Sequence, residues 1–155
     1  MIAHLKKFVL PAAYALLPAP MASVEATRLL VAIGWQESRF EYRRQIGGPA
    51  RGFWQFETAG IGGVLAHHKT RDLVRVVLTS MQYVHPPTPY GCHLAVEHND
   101  TLAAVFARLL LWTDAAPLPK ADEHERGWEL YLRCWRPGKP HPMTWAQAWA
   151  VGVAA

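Results

Sequence analysis

The chain predicts a mainly α-helical single domain with one short β-turn or hairpin segment after its first long helix. Three observations carry that expectation. The 155 residues are 51% hydrophobic and 18% charged, the balance of a globular chain that buries one core. Apolar residues recur at three- and four-residue spacings over several long stretches. Proline and glycine clusters punctuate those stretches, and the chain has no internal repeat or low-complexity tract.

Residues 1–22 read as an N-terminal helix and connector. Lys6-Lys7 ahead of the apolar run 8–17 has the outline of a signal peptide. The run is short, Pro11 interrupts it, and Pro20-Met21-Ala22 is a poor cleavage site, so no convincing export signal is present. It is also too short for a membrane span. A structural helix ended by Pro18-Ala19-Pro20 fits better.

Residues 23–57 hold the main signal. Ser23 is a good N-cap, Glu25 follows in the first turn, and the periodicity predicts a helix to about Ser38. Leu29, Ile33 and Glu37 are spaced by four, so the glutamate shares the face that points into protein. A carboxylate is costly there, and burial that disfavours its charged form makes it a general-acid candidate. Gly47, Gly48, Pro49 and Gly52 predict a turn, and residues 53–56 a short aromatic strand.

Gly60, Gly62 and Gly63 predict a flexible patch, 72–83 a helix, and 85–91 a loop. Asn99 or Asp100 caps a core helix over 101–112, and a further helix covers 125–135. Residues 136–155 form a C-terminal extension packed on the domain, with Trp145 and Trp149 on one helical face that suits either the core or a partner chain.

Charge and composition remove several function classes. The net charge of +4 and pI near 9.3 favour an anionic partner, but the basic residues are scattered and no phosphate-tracking run exists, which argues against nucleic acid. Cys92 and Cys134 permit one disulfide and no disulfide framework. His93 and His98 with Glu97 reverse and misspace the zinc-protease pattern, so no metal is expected. No Gly-x-Ser-x-Gly elbow supports a serine hydrolase. Among the aromatics, Trp54 lies inside the motif and is the sugar-stacking candidate; Tyr90 and Trp112 suit core as well.

The segment Ala32-Ile33-Gly34-Trp35-Gln36-Glu37-Ser38-Arg39-Phe40, followed by Ala50-Arg51-Gly52-Phe53-Trp54-Gln55, resembles the soluble lytic transglycosylase and goose-type lysozyme family. The resemblance covers residues 24 to 57 and the rest loosely. It implies a lysozyme-like α+β domain that cleaves the β-1,4 bond between N-acetylmuramic acid and N-acetylglucosamine in peptidoglycan, with no cofactor. It puts Glu37 in the catalytic acid position and Ser38, Gly52, Trp54 and Gln55 along the substrate cleft. Where transglycosylases carry a tyrosine that contacts the acid, this chain has Ala104-Val105-Phe106-Ala107-Arg108, without the hydroxyl. Glu57 falls where goose-type lysozymes carry an aspartate, and a second carboxylate could orient water for direct hydrolysis. Hydrolysis and anhydro-sugar formation both stay open, with a lean to the hydrolase.

The chain is also similar to small lysozyme-like proteins of tailed phages and prophages. That similarity implies a virion or host periplasmic and cell-wall location, and other virion proteins as partners. The rival expectation is a virion protein that keeps the lysozyme fold for glycan binding or assembly without catalysis.

Overall fold

The structure is a computed structural model that describes residues 1–82 and 87–155. The chain opens with α1 (Ile2–His4), a π-helical turn (Leu5–Val9) and α2 (Leu10–Ala15), which follow one another without a break. Leu10 N–H reaches back five residues to Leu5 O, just before Pro11, which has no N–H to give. A 3-10 turn (Ala19–Met21) leads into α3 (Val24–Ser38), α4 (Thr58–Ala66) and α5 (Arg71–Met81). Then come α6 (Pro89–His98), α7 (Asp100–Thr113), α8 (His124–Trp135) and α9 (Pro142–Val153).

The centre is α7. Asn99 caps it, its Oδ1 accepting the Leu102 N–H at 2.9 Å, and every residue from Leu102 to Leu111 is buried. A helix apolar all round must be enclosed by neighbours, and α2, α3, α4, α5, α6 and α8 all pack on it. Arg108 is its one charged residue in that buried run; Nε donates to Met21 O at 2.8 Å and the guanidinium lies 5.1 Å from the Trp112 ring. Phe106, the residue without a hydroxyl, is wholly buried against Phe56, with ring centroids 6.3 Å apart. It belongs to the core.

The C-terminal helix α9 lies along α3. Gly152 makes this possible: a Cβ there would come within 2.5 Å of Arg28 O and 2.9 Å of the Ala32 Cβ. Trp145 and Trp149 are buried rather than presented outward, and each indole N–H has a carbonyl partner, His124 O at 2.8 Å and Ala121 O at 2.9 Å.

Three expectations need correction. No strand occurs among the described residues; the hairpin segment is a turn carrying isolated bridges of Arg51 to Arg44 and to Phe56. The glycine patch at 60–63 is helical in α4, because burying Ile61 and Val64 outweighs the low helix propensity of glycine. Residues 89–91 open α6 instead of continuing a loop, since Pro89 is pre-set for a first helical turn and Thr88 Oγ1 accepts the Gly91 N–H at 3.0 Å. Residues 87 and 88 keep the loop, while residues 85 and 86 and the end of the 72–83 helix at Tyr83 lie outside the described residues. Cys92 and Cys134, whose pairing the sequence leaves open, are both free thiols; burial pushes them up to about 11 and about 12.

Candidate active site

The site grows from the end of α3. Ser23 Oγ accepts the Ala26 N–H at 3.1 Å and starts the helix, and Leu29, Leu30 and Ile33 sink into the core. Arg39 ends it in the left-handed region at φ 51°, its N–H returning to Trp35 O at 2.9 Å. The chain then folds Phe40 back beneath the helix. Gly34 leaves room for that ring, since a Cβ at Gly34 would stand 2.3 Å from it.

Residues 51–56 close a tight loop below this corner. Arg51 N–H donates to Phe56 O at 2.9 Å and Phe56 N–H to Arg51 O at 2.8 Å. Gly52 sits at φ 72°, with Val96 O only 2.8 Å from where a Cβ would lie, so only glycine fits without strain. Gln55 adopts φ 48°, and its side-chain N–H donates to Gly52 O at 2.8 Å. His93 braces the loop from α6: Nε2–H donates to Phe56 O at 2.8 Å while Nδ1 lies 3.2 Å from the Thr58 hydroxyl. An Arg51–Glu97 ion pair ties the loop to α6 as well.

Glu37 stands half-buried above this turn. The Tyr131 hydroxyl donates to Glu37 Oε1 at 2.7 Å. Burial dominates the electrostatics and raises the Glu37 carboxyl to about 7, the Tyr131 hydrogen bond opposing that rise. Its position at the C-terminal end of α3 works with burial, because the helix dipole disfavours an anion there. Glu37 Oε2 makes no hydrogen bond to the described protein and is not sealed from solvent. One oxygen is therefore held and the other is free for a ligand.

An aromatic row holds Tyr131. Its ring stacks on Trp145 with centroids 5.5 Å apart and planes 14° apart, and Trp128 and Trp135 lie 5.2 and 6.3 Å away. Trp135 N–H donates to Trp54 O at 2.9 Å, and Phe56 lies 5.9 Å from the Trp135 ring, so α8 is docked on the turn below Glu37. Tyr131 is 3% exposed, while Trp135 is half-buried.

The expected site residues divide. Trp54 is 0% exposed, its N–H bound to Leu30 O at 2.9 Å and its ring edge-on to Phe40 at 6.1 Å; a buried ring cannot stack on a sugar. Ser38 is buried, its Oγ 2.7 Å from Phe53 O and 3.1 Å from Gly34 O, and it accepts the Phe40 N–H at 3.1 Å. Its hydroxyl is consumed in joining helix to turn. Gly52 and Gln55 likewise shape the backbone, though Gln55 is only half-buried. Glu57 is exposed at the N-cap of α4, and no hydrogen bond or ion pair among the described residues links it to Glu37.

Sequence reasoning missed Tyr131 and Trp135. The signal was present: Trp128, Tyr131 and Trp135 follow the three-then-four spacing of one helix face. What the spacing lacked was the address of that face. Among the described residues no group of three or more His, Cys, Asp or Glu side chains could hold a metal ion. No helix of the described residues is long and apolar enough to cross a membrane. No family model matches the chain, and neither does any curated protein or solved structure.

Proposed function

We propose that the protein is a lysozyme-like glycosidase of peptidoglycan in which Glu37 is the general acid and Tyr131 its positioning partner. The single observation that carries this reading is the half-buried carboxyl raised to about 7, held through one oxygen by Tyr131 and open at the other. Such a group is protonated over a useful fraction of neutral conditions and can be delivered to a glycosidic oxygen.

In the proposed step the Glu37 proton passes to the bridging oxygen as the C1–O4 bond between N-acetylmuramic acid and N-acetylglucosamine breaks. The glucosamine leaves with a free 4-hydroxyl. Positive charge builds on the muramic C1, and an oxygen nucleophile closes on it while Glu37, now a carboxylate, takes back a proton. If the nucleophile is water the product has a reducing end; if it is the muramic 6-hydroxyl the product is an anhydro sugar. Tyr131 supplies the hydroxyl that Phe106 lacks, and that hydroxyl on the acid favours anhydro-sugar formation by one carboxyl acting twice. Glu57, exposed at the start of α4, is the residue whose substitution tests the hydrolase.

The alternative, a glycan-binding virion protein without catalysis, drew its support from the missing hydroxyl. Tyr131 weakens it. A virion or cell-wall location fits a substrate of this class, with peptidoglycan and other virion proteins as partners. Purified peptidoglycan incubated with the intact protein decides the matter: clearing by the wild type and loss of clearing in Glu37→Gln supports the acid, and equal rates sink it. Mass analysis of the released muropeptides then separates anhydro from reducing ends.

A further inference from the structure

A concave feature lies behind the aromatic row that holds Tyr131. A cavity of about 380 Å³ opens between α8 and α9, walled by Trp128, Trp145 and Pro142 and edged by His124, Glu125 and Glu129. That volume is within the range of small-ligand pockets. Trp145 lines the cavity and stacks on Tyr131, whose hydroxyl is bonded to Glu37.

The charges around the cavity select its occupant. Glu125 and Glu129 sit one helical turn apart on α8, where like charges repel. Asp100, Asp114, Glu97 and Glu123 each meet an arginine, but neither Glu125 nor Glu129 joins any ion pair among the described residues. Indole faces attract cations through their negative π-surface. On a chain of net charge +4, an aromatic pocket edged by two unpaired carboxylates is a local reversal of sign, and it complements a small cation.

We infer that this cavity binds a primary ammonium group carried by the substrate polymer, seated against Trp128 between Glu125 and Glu129. Connecting that amine to the polymer that Glu37 cleaves rests on the glycosidase reading. Two sources share the chemistry: the diamino acid of the stem peptide, and glucosamine whose N-acetyl group has been removed.

The test uses the intact ¹⁵N-labelled protein and follows its tryptophan indole signals. The probes are the stem tripeptide L-Ala-γ-D-Glu-meso-diaminopimelate, its amine-acetylated form, and a tetramer of glucosamine. A saturable shift of the Trp128 signal with an amine probe is expected, weakened about tenfold by acetylation and by Glu125→Gln/Glu129→Gln together. These exposed substitutions leave the fold intact, which circular dichroism checks. Saturation by the tripeptide assigns the stem; saturation by the tetramer assigns the glycan. Equal binding of the acetylated probe, no shift with either amine, or a shift produced by raising protein concentration alone overturns the proposal. A wild-type protein that binds the amine but never clears peptidoglycan refutes the glycosidase and leaves the pocket standing.

Discussion

Glu37 and Glu57 are the same side chain at opposite ends of two helices. Glu37 closes α3 in a half-buried corner, held by Tyr131 and facing the negative end of the helix dipole. Glu57 opens α4 in solvent, at the positive end, without a hydrogen bond from its side chain. Surroundings, and not the motif, let Glu37 hold a proton near neutrality.

The largest test of that contrast is activity. Glu37→Gln should lose about 10²- to 10⁴-fold in peptidoglycan clearing, while Glu57→Gln should stay within roughly threefold of wild type. A comparable collapse in both variants would restore Glu57 as a partner and the hydrolase with it. Next in size is Trp54→Ala. It should cost about 3–5 kcal/mol in urea unfolding, because it empties a fully buried site and frees the Leu30 carbonyl, where a sugar-stacking tryptophan would cost affinity and little stability.

The third test reads the same acid through stability. Burial raises Glu37 from 4.5 unfolded to about 7 folded, so the folded state retains a proton that the unfolded chain releases across that window. Wild-type stability should therefore fall as pH climbs from 4.5 to about 7 and level off above, by about 3 kcal/mol at most. In Glu37→Gln that component should vanish, leaving the variant relatively more stable at pH 8 than at pH 4. The smallest effect is expected in Tyr131→Phe. The hydroxyl lowers the Glu37 pKa by favouring the anion, so its removal should move the alkaline limb of the pH–rate profile upward. A merely structural tyrosine would lower the rate and leave the limb in place.

Much of the helical layout was legible from capping and periodicity. Ser23 and Asn99 start α3 and α7 as their side chains predict, and the Leu29–Ile33–Glu37 stripe points inward. The short-range glycine signals misled where burial overruled them, as in α4. The motif's own residues misled in another way. Trp54, Ser38 and Gly52 lie close in sequence to the acid, yet each is committed to fastening the turn under α3. Tyr131 comes from 94 residues further along, and no local pattern announces a contact of that span.

That separation sets when the acid comes into being. Closing a loop of this length is entropically expensive, and only the docking of α8 and α9 against α3 and the turn repays the ordering. Until those last helices settle, Glu37 stands in water as an ordinary carboxylate with no grip on a proton. Local opening of the α8–α9 pair in the finished molecule has the same outcome. Chemical competence is thus a report on completed assembly, silent in any partly folded chain even when its motif is already formed.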